Sequence, residues 1–426
     1  MKQHVAENVN LAFLDELRRQ NQCDKALSLF EMLPLSEKQT WQAYNLRGQL
    51  QASGYAFDDA VASYMIALER SGQRPEVLSN LGVVYIRLGK LDDAHRIFKD
   101  VLKKCSDAVF PWNNMGMVLH RLGYIDAAIT AYKTALSYDP DAIEPAVNLA
   151  YAYMAAEEWE KAWPLYDKRP RAAKVDLPQW RGQRVSSLLL LSEQGFGDTI
   201  HFSRYAGLLK TQGLVDRVVL FCKRPLARLM AVVPGIDQVV WESVPRCDAH
   251  CGILDLPLLT GRPFLSLPYE AIEPLAPIKK IGVALSGNPK QLDDRTRSIP
   301  KDLFSACISK LSRAECHSLQ PDLQHEGVIP HPELHDFADT AKLMADMDLV
   351  VTVDTSVAHL AGMMGVPTWV MLSACRDWHY GKSATRSPWY PTQRLFRQDQ
   401  PHDWQGVFDR IGIALQPFFN AGSGVR

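Results

Sequence analysis

Three stretches of the chain gather residues that could do chemistry. In "LLLLSEQGFGDTIHFSRYA" (188–206) a leucine run gives way to Gly195 and Gly197, then Asp198, Thr199 and His201. Glycine allows positive φ and close backbone approach. A carboxylate where a helix begins is favoured in its ionised form by the helix dipole. In a cleft it could take a proton from an attacking hydroxyl; as a plain N-cap it would be worth about 1 kcal/mol. "GFGD" is neither the six-residue dinucleotide fingerprint nor a P-loop, since no Gly-Lys-Ser/Thr follows.

In "ALSGNPKQLDDRTRSIP" (284–300), Ser286, Asn288, Lys290, Arg295 and Arg297 share a glycine- and proline-bounded loop with Asp293 and Asp294. Three cations beside Ser-Gly-Asn suit a diphosphate, and a solvated loop whose charges pair internally is the alternative. In "VVTVDTSVAHLAGMMGVP" (350–367), Asp354 ends a strand and Thr355, Ser356 and Val357 open a helix. Free N–H groups with hydroxyls make an anion site. His359 lies one turn along on the face of Thr355, either a further donor or a buried histidine behind an N-cap.

The elements that must hold these residues are of two kinds. Up to about residue 170 small and aromatic residues recur. Gly48, Gly82 and Gly116 are 34 apart, Ala150 takes the next place, and Ala26, Ala60, Ala94, Ala128 and Ala162 keep the same period. Four residues after each alanine stands Phe30, Tyr64, Phe98, Tyr132 or Tyr166. A fixed period of this length marks a helix–turn–helix solenoid. Trp112, Gly116, Gly123, Ala128, Tyr132, Ala135 and Pro140 closely match the tetratricopeptide pattern. Small residues let helices approach, and the aromatic is expected to fill the gap to the next unit. About five units follow from the period; the first is degenerate, with Leu14 in the glycine place. Such an array offers a peptide-binding groove or, alternatively, a spacer or dimerisation arm.

Residues 171–185, "RAAKVDLPQWRGQRV", break the period and read as a linker whose Trp180 packs on one of the two parts. Beyond it, short β-branched runs alternate with helical ones: "SLLLL", a helix through Lys210, "RVVLFC", a helix in "PLARLMAVV", "DQVVW", then, past a proline-rich hinge at 274–279, "KIGVALSGN", "ECHSLQ", "DLVVTVDT" and "VPTWVML". That alternation predicts doubly wound parallel sheets. Asp198, Ser286 and Asp354 each follow a strand, and carboxyl ends of such strands are where ligands sit.

Composition bounds the rest. The formal net charge is −1, with 47% hydrophobic and 22% charged residues, so no overall field favours nucleic acid or an anionic membrane. No run approaches the roughly 18 apolar residues of a membrane span. The amphipathic start lacks a signal-peptide core, which predicts a cytoplasmic protein. Eight scattered cysteines are no disulfide framework, and "CDAHC" (247–251) lacks the second ligand pair a closed zinc site needs.

In order and wording, "EQGFGDTIHFSRYA", "SGNPKQLDDRTRSIP", "VDTSVAHLAGMMGVPTWVML" and the tail "SPWYPTQRLFRQ" resemble the heptosyltransferase-related bacterial glycosyltransferases, most closely those fused to tetratricopeptide repeats. The resemblance implies an α + α/β chain, a tetratricopeptide solenoid followed by a GT-B pair of Rossmann-like domains. The boundaries expected are 1–170 for the repeats, 171–185 for the linker, 186–275 for the acceptor side and 276–426 for the nucleotide-sugar side. It also implies a metal-free, inverting transfer from a nucleotide-sugar, which is substrate rather than cofactor. Asp198 matches the base that deprotonates the acceptor. Arg297 matches a cation on the donor diphosphate, where heptosyltransferases often carry lysine. Thr355, Ser356, Val357 and His359 match the diphosphate turn, with Ser356 where glycine is usual. Leu334, His335 and Phe337 fall where the nucleobase is held. With no metal, cations and a helix terminus must stabilise the leaving diphosphate. "DFAD" and "MADMD" read as the polar face of a helix. The expected acceptor is a protein presented by the repeats, such as flagellin or an adhesin; a lipopolysaccharide or other glycan acceptor, or a scaffold with an inactive transferase half, are the alternatives. Oligomerisation through the repeats is left open by the sequence.

Overall fold

The computed structural model describes residues 9–171, 175–267, 272–288, 294–331, 333–374, 377–381 and 385–420. It divides into two compact units, Met1–Asn148 and Leu149–Arg426.

The repeats form helical hairpins: α1 (Leu11–Arg19) with α2 (Cys23–Phe30), α3 (Trp41–Ser53) with α4 (Phe57–Ser71), α5 (Pro75–Arg87) with α6 (Leu91–Lys104), α7 (Val109–Arg121) with α8 (Ile125–Tyr138), and α9 (Ile143–Ala155) with α10 (Trp159–Tyr166). Each turns on one left-handed residue: Asn21, Tyr55, Gly89, Gly123 and Glu157, with φ between 58 and 81°. Those positions share the repeat spacing, so the first and last units keep the turn even where glycine is missing.

The aromatic of each middle hairpin has a second contact beside the one the sequence predicts. A Cβ on Gly48, Gly82 or Gly116 would fall 2.7, 2.7 or 2.5 Å from the ring of Tyr64, Phe98 or Tyr132. The ring packs against its own hairpin's glycine and also reaches the next unit: Tyr64 shares a core cluster with Val77, Leu78 and Leu81, and Phe98 with Met115 and Val118.

The second unit holds two wholly parallel sheets. One is β1 (Val185–Leu191), β2 (Val215–Phe221), β3 (Gln238–Val240) and β4 (Ala249–Gly252), in the order β3-β2-β1-β4. The other is β5 (Lys280–Ala284), β6 (Glu315–Ser318), β7 (Val328–Ile329), β8 (Leu349–Val353), β9 (Thr368–Leu372) and β10 (Gln393–Arg397), in the order β10-β9-β8-β5-β6-β7. Every residue of β8 and β9 is buried, which is why they read as unbroken apolar runs. The helices are α11 (Phe196–Phe202), α12 (Tyr205–Thr211), α13 (Phe304–Leu311), α14 (Phe337–Met344), α15 (Ser356–Met364) and α16 (Trp404–Asn420).

Several elements depart from the sequence expectation. The helix expected through Lys210 is broken between α11 and α12, and "PLARLMAVV" forms only short turns at 224–230. Strand β4 lies between "DQVVW" and the hinge, where the sequence predicts no strand. Trp180 is wholly buried against it: its N–H donates to the His250 carbonyl at 2.7 Å, and Gln179 pairs with His250.

Chain order makes the geometry useful. In the first sheet the order reverses beside β1; in the second it reverses between β5 and β8. A reversal opens a crevice at the carboxyl ends of the flanking strands. The three chemistry-bearing stretches hang from β1, β5 and β8.

Candidate functional site

Asp198 sits in the first turn of α11. Its Oδ2 accepts the Gly195 N–H at 3.0 Å, satisfying a donor the helix start leaves over. Thr199 and His201 point inward and are fully buried; Thr199 Oγ1 meets Ser192 Oγ at 2.6 Å.

Gly197 marks where the two sheets' helices meet. A Cβ there would lie 2.8 Å from Cδ2 of His359 and 3.6 Å from Cα of Ser356. Glycine is therefore required by close approach, and it sets the start of α11 against the start of α15. Thr355 caps α15, its Oγ1 accepting the Val357 N–H at 3.3 Å. His359 is buried, and its Nδ1 lies 3.1 Å from the Tyr390 hydroxyl, which also meets Nδ1 of His201 at 2.8 Å. One hydroxyl thus serves two rings, and with a single proton it can donate to no more than one of them. Burial first, then neighbouring cations, holds both histidines well below their ordinary values, hence neutral.

Asp354, at the end of β8, accepts from the Tyr380 hydroxyl at 3.1 Å. Burial and then the nearby Asp377 charge push its carboxyl up to about 6, against the pull of Arg297. Arg297 ends a single helical turn, Asp294–Arg297, after β5, and its Nε faces Asp294 Oδ1 at 3.4 Å. A Cβ on Gly287 would fall 2.4 Å from that Asp294 oxygen and 2.7 Å from the Arg297 guanidinium. Ser286 is held further along, its Oγ accepting from Gln320 at 3.0 Å. Asn288 is exposed. Lys290 and the side chain of Arg295 lie outside the described residues.

Leu334 and His335 lie in the loop before α14, and Phe337 is its first residue. Phe337 meets Phe196 across the cleft at 5.0 Å between ring centres. The "DFAD" carboxylates do more than face solvent: Asp336 caps α14, and both Asp336 and Asp339 pair with Arg228 at 3.0 Å.

Sequence reasoning missed the segment after β9. There Asp377 caps a short turn, and its Oδ1 accepts from His379 Nδ1 at 2.7 Å. His379 Nε2 faces Asp198 Oδ1 at 3.5 Å. Burial disfavours a charged ring, but Asp377 and then Asp198 outweigh it and lift His379 to about 10. Asp377, charged beside that ring, lies below the ordinary carboxylate range even though burial opposes this. "DWHY" contains the signal, an aspartate two residues before a histidine, but nothing local ties it to Asp198.

Also missed was the support beneath the Asp198 loop. Arg169, just after α10, pairs with Glu193 and with Asp255 at 2.8 Å, all three side chains less than 10% exposed. Gln194 donates to the Tyr166 hydroxyl at 2.6 Å. The last repeat hairpin is therefore wired into the residues that precede Gly195.

The site brings the carboxylates of Asp198, Asp354 and Asp377, a helix N-terminus, a neutral histidine pair and two cations, Arg297 and His379, around the carboxyl ends of β1, β5 and β8. Such a set can hold an anion on one wall and accept a proton on the other. Among the described residues no group of histidine, cysteine, aspartate or glutamate has the arrangement to hold a metal ion.

Known proteins give a coarser picture. Two tetratricopeptide repeat models match residues 76–108 and 119–183. Protein FlbA of Caulobacter vibrioides is 23% identical over 314 residues, covering 61% of this chain and 52% of that protein. The chain thus spans about half the length of this curated relative. Among solved structures, YrrB, described as a TPR protein with an unusual peptide-binding site, is 20% identical, covers 37% of this chain and 81% of its own, and has a TM-score of 0.29. TTC0263, a thermophilic TPR protein of Thermus thermophilus, is 22% identical over 37% of this chain and 87% of its own, with a TM-score of 0.35. The chain carries tetratricopeptide repeats, followed by an α/β region of parallel sheets. No described helix is long and apolar enough to cross a membrane.

Proposed function

We propose that the chain is a glycosyltransferase of the GT-B kind, moving a sugar from a nucleotide-sugar onto a hydroxyl of a protein acceptor presented by the repeats. Asp198 takes the acceptor's proton as its oxygen attacks the anomeric carbon, and the nucleoside diphosphate leaves with inversion. Arg297 and the start of α15, with Thr355, Ser356 and Val357, receive the diphosphate's charge. Fixed donors of that kind act in place of a metal because they need no reorganisation as charge develops. Asp354 holds the turn, and Phe337 with Leu334 and His335 flanks the nucleobase.

One observation supports this reading: the close approach at Gly197 sets the helix start that carries Asp198 against the Thr355-capped start of α15. The test is thermal denaturation with ADP, UDP, GDP and CDP, each free and sugar-linked. A ligand at about 100 times its Kd adds roughly 2.7 kcal/mol of stability. One base is expected to raise Tm in the native chain and to lose most of that effect in Arg297→Ala. Absence of any response across the four bases would overturn the reading.

A further inference from the structure

His379 has a geometry that the reading above leaves unused. Its Nδ1 lies 2.7 Å from Asp377 Oδ1, and its Nε2 lies 3.5 Å from Asp198 Oδ1. Both neighbours are carboxylate oxygens, which only accept. A neutral imidazole would turn a bare lone pair towards one of them, so only the doubly protonated ring suits both. Nε2 is fully enclosed and finds no aligned hydrogen bond, so its interaction with Asp198 is that of a charge aimed at a charge.

The surroundings fix the ring. Trp378 stacks on it with centres 3.5 Å apart, and His359 and His201 flank it at 4.7 and 5.3 Å. Both flanking rings are neutral, with their Nδ1 atoms turned to Tyr390. Other charged groups acting on this cluster are Asp354, Arg297 and Arg204. His379 is thus the one ring of the three with carboxylates on both sides.

We propose that His379 is a positioning residue for Asp198: an imidazolium clamped by Asp377 on the segment after β9 that orients, across the cleft, the carboxylate at the start of α11. Asp198 is then held from two directions. Its Oδ2 accepts the Gly195 N–H, and its Oδ1 faces His379. Each oxygen keeps a second lone pair, so the carboxylate is oriented without losing its capacity to accept a proton. The contact also joins the helix start after β1 to the segment after β9 at the base itself.

This inference rests on the reading of Asp198 as the base, but its test needs neither donor nor acceptor. The full chain, deuterated and carrying 13Cε1-histidine, is titrated by NMR from pH 5 to 10.5, with His379→Gln assigning the resonance. The ring is expected to remain protonated past pH 9, in keeping with a value of about 10. Asp377→Asn and Asp198→Asn should each lower the midpoint by at least one pH unit. A midpoint near the ordinary ~6.5, or one that Asp198→Asn leaves unmoved, would overturn the proposal. Because nothing is turned over, that outcome would leave nucleotide binding untouched, and lack of nucleotide binding would leave this titration untouched.

Discussion

Replacing Arg169 with methionine tests the support beneath the site. Its guanidinium lies between Glu193 and Asp255, with the three side chains 7, 9 and 2% exposed. Methionine matches the stem but removes the charge. Asp255 keeps Arg171 at 3.2 Å and the Gly252 N–H at 3.1 Å, whereas Glu193 loses its partner. Leaving a buried charge uncompensated costs about 3–5 kcal/mol. For a unit of this size that is roughly 6–10 °C in Tm. The sign of the pH dependence follows from Glu193, which burial already holds above the ordinary carboxylate value despite Arg169. Without the arginine it rises further. A carboxyl raised on folding binds a proton more readily in the folded state, so stability is gained as pH falls through the folded value. Calorimetry should therefore show a deficit at pH 7.5 that shrinks at pH 5.5, and Glu193→Gln in the same chain should recover part of it at pH 7.5. A Tm within about 1 °C of the parent, or a deficit indifferent to pH, would refute the reasoning.

Other substitutions probe single contacts, each read by calorimetric melting. Gly116→Ala puts a Cβ 2.5 Å from the buried Tyr132 ring; overpacking of about 1–3 kcal/mol should exceed the gain of about 1 kcal/mol in helix propensity, and an unchanged melt would contradict the packing. Tyr55→Gly relieves a left-handed residue at φ 63°; with about 1–2 kcal/mol of strain removed and part returned as chain entropy, a rise of a degree or two is expected, and a fall would argue that the edge-on contact of Tyr55 with Phe57, 6.0 Å between ring centres, matters more. Gly197→Val forces a side chain into His359, with an expected cost of about 1–3 kcal/mol and loss of the nucleotide response; a parental response would show that the two helix starts need not meet.

The parts legible in the sequence were those whose signal is local. The repeat period exposed the hairpins because each unit spends the same small and aromatic residues on the same contact. Gly195 to Asp198 announced a strand-to-helix turn, and Thr355 to His359 announced a capped helix, since caps and close approaches are encoded within a few residues. Strand β4 was hidden because it is short and carries Ala249, His250 and Gly252 instead of β-branched residues. His379, Glu193 and Arg169 were unreadable for another reason. Each acquires its meaning from a partner far along the chain, on Asp198, Asp255 or the end of the last repeat, and no periodicity reports which strand ends will share a crevice. The aromatic repeat positions fall between these cases: the residues and their reach to the next unit were plain, but the seat of each ring on its own hairpin's glycine depends on helix rotation, which spacing alone leaves open.

The central claim, that Asp198 serves as the base of a sugar transfer to protein, is tested most directly by mass spectrometry. Bacterial cells lacking this protein would be supplied with either the native chain or Asp198→Asn at matched abundance and Tm, and their proteins compared by intact mass and glycopeptide analysis. The account predicts one or more proteins carrying an added sugar mass with the native chain and lacking it with Asp198→Asn. The same modified proteins at the same occupancy in both cells would contradict it.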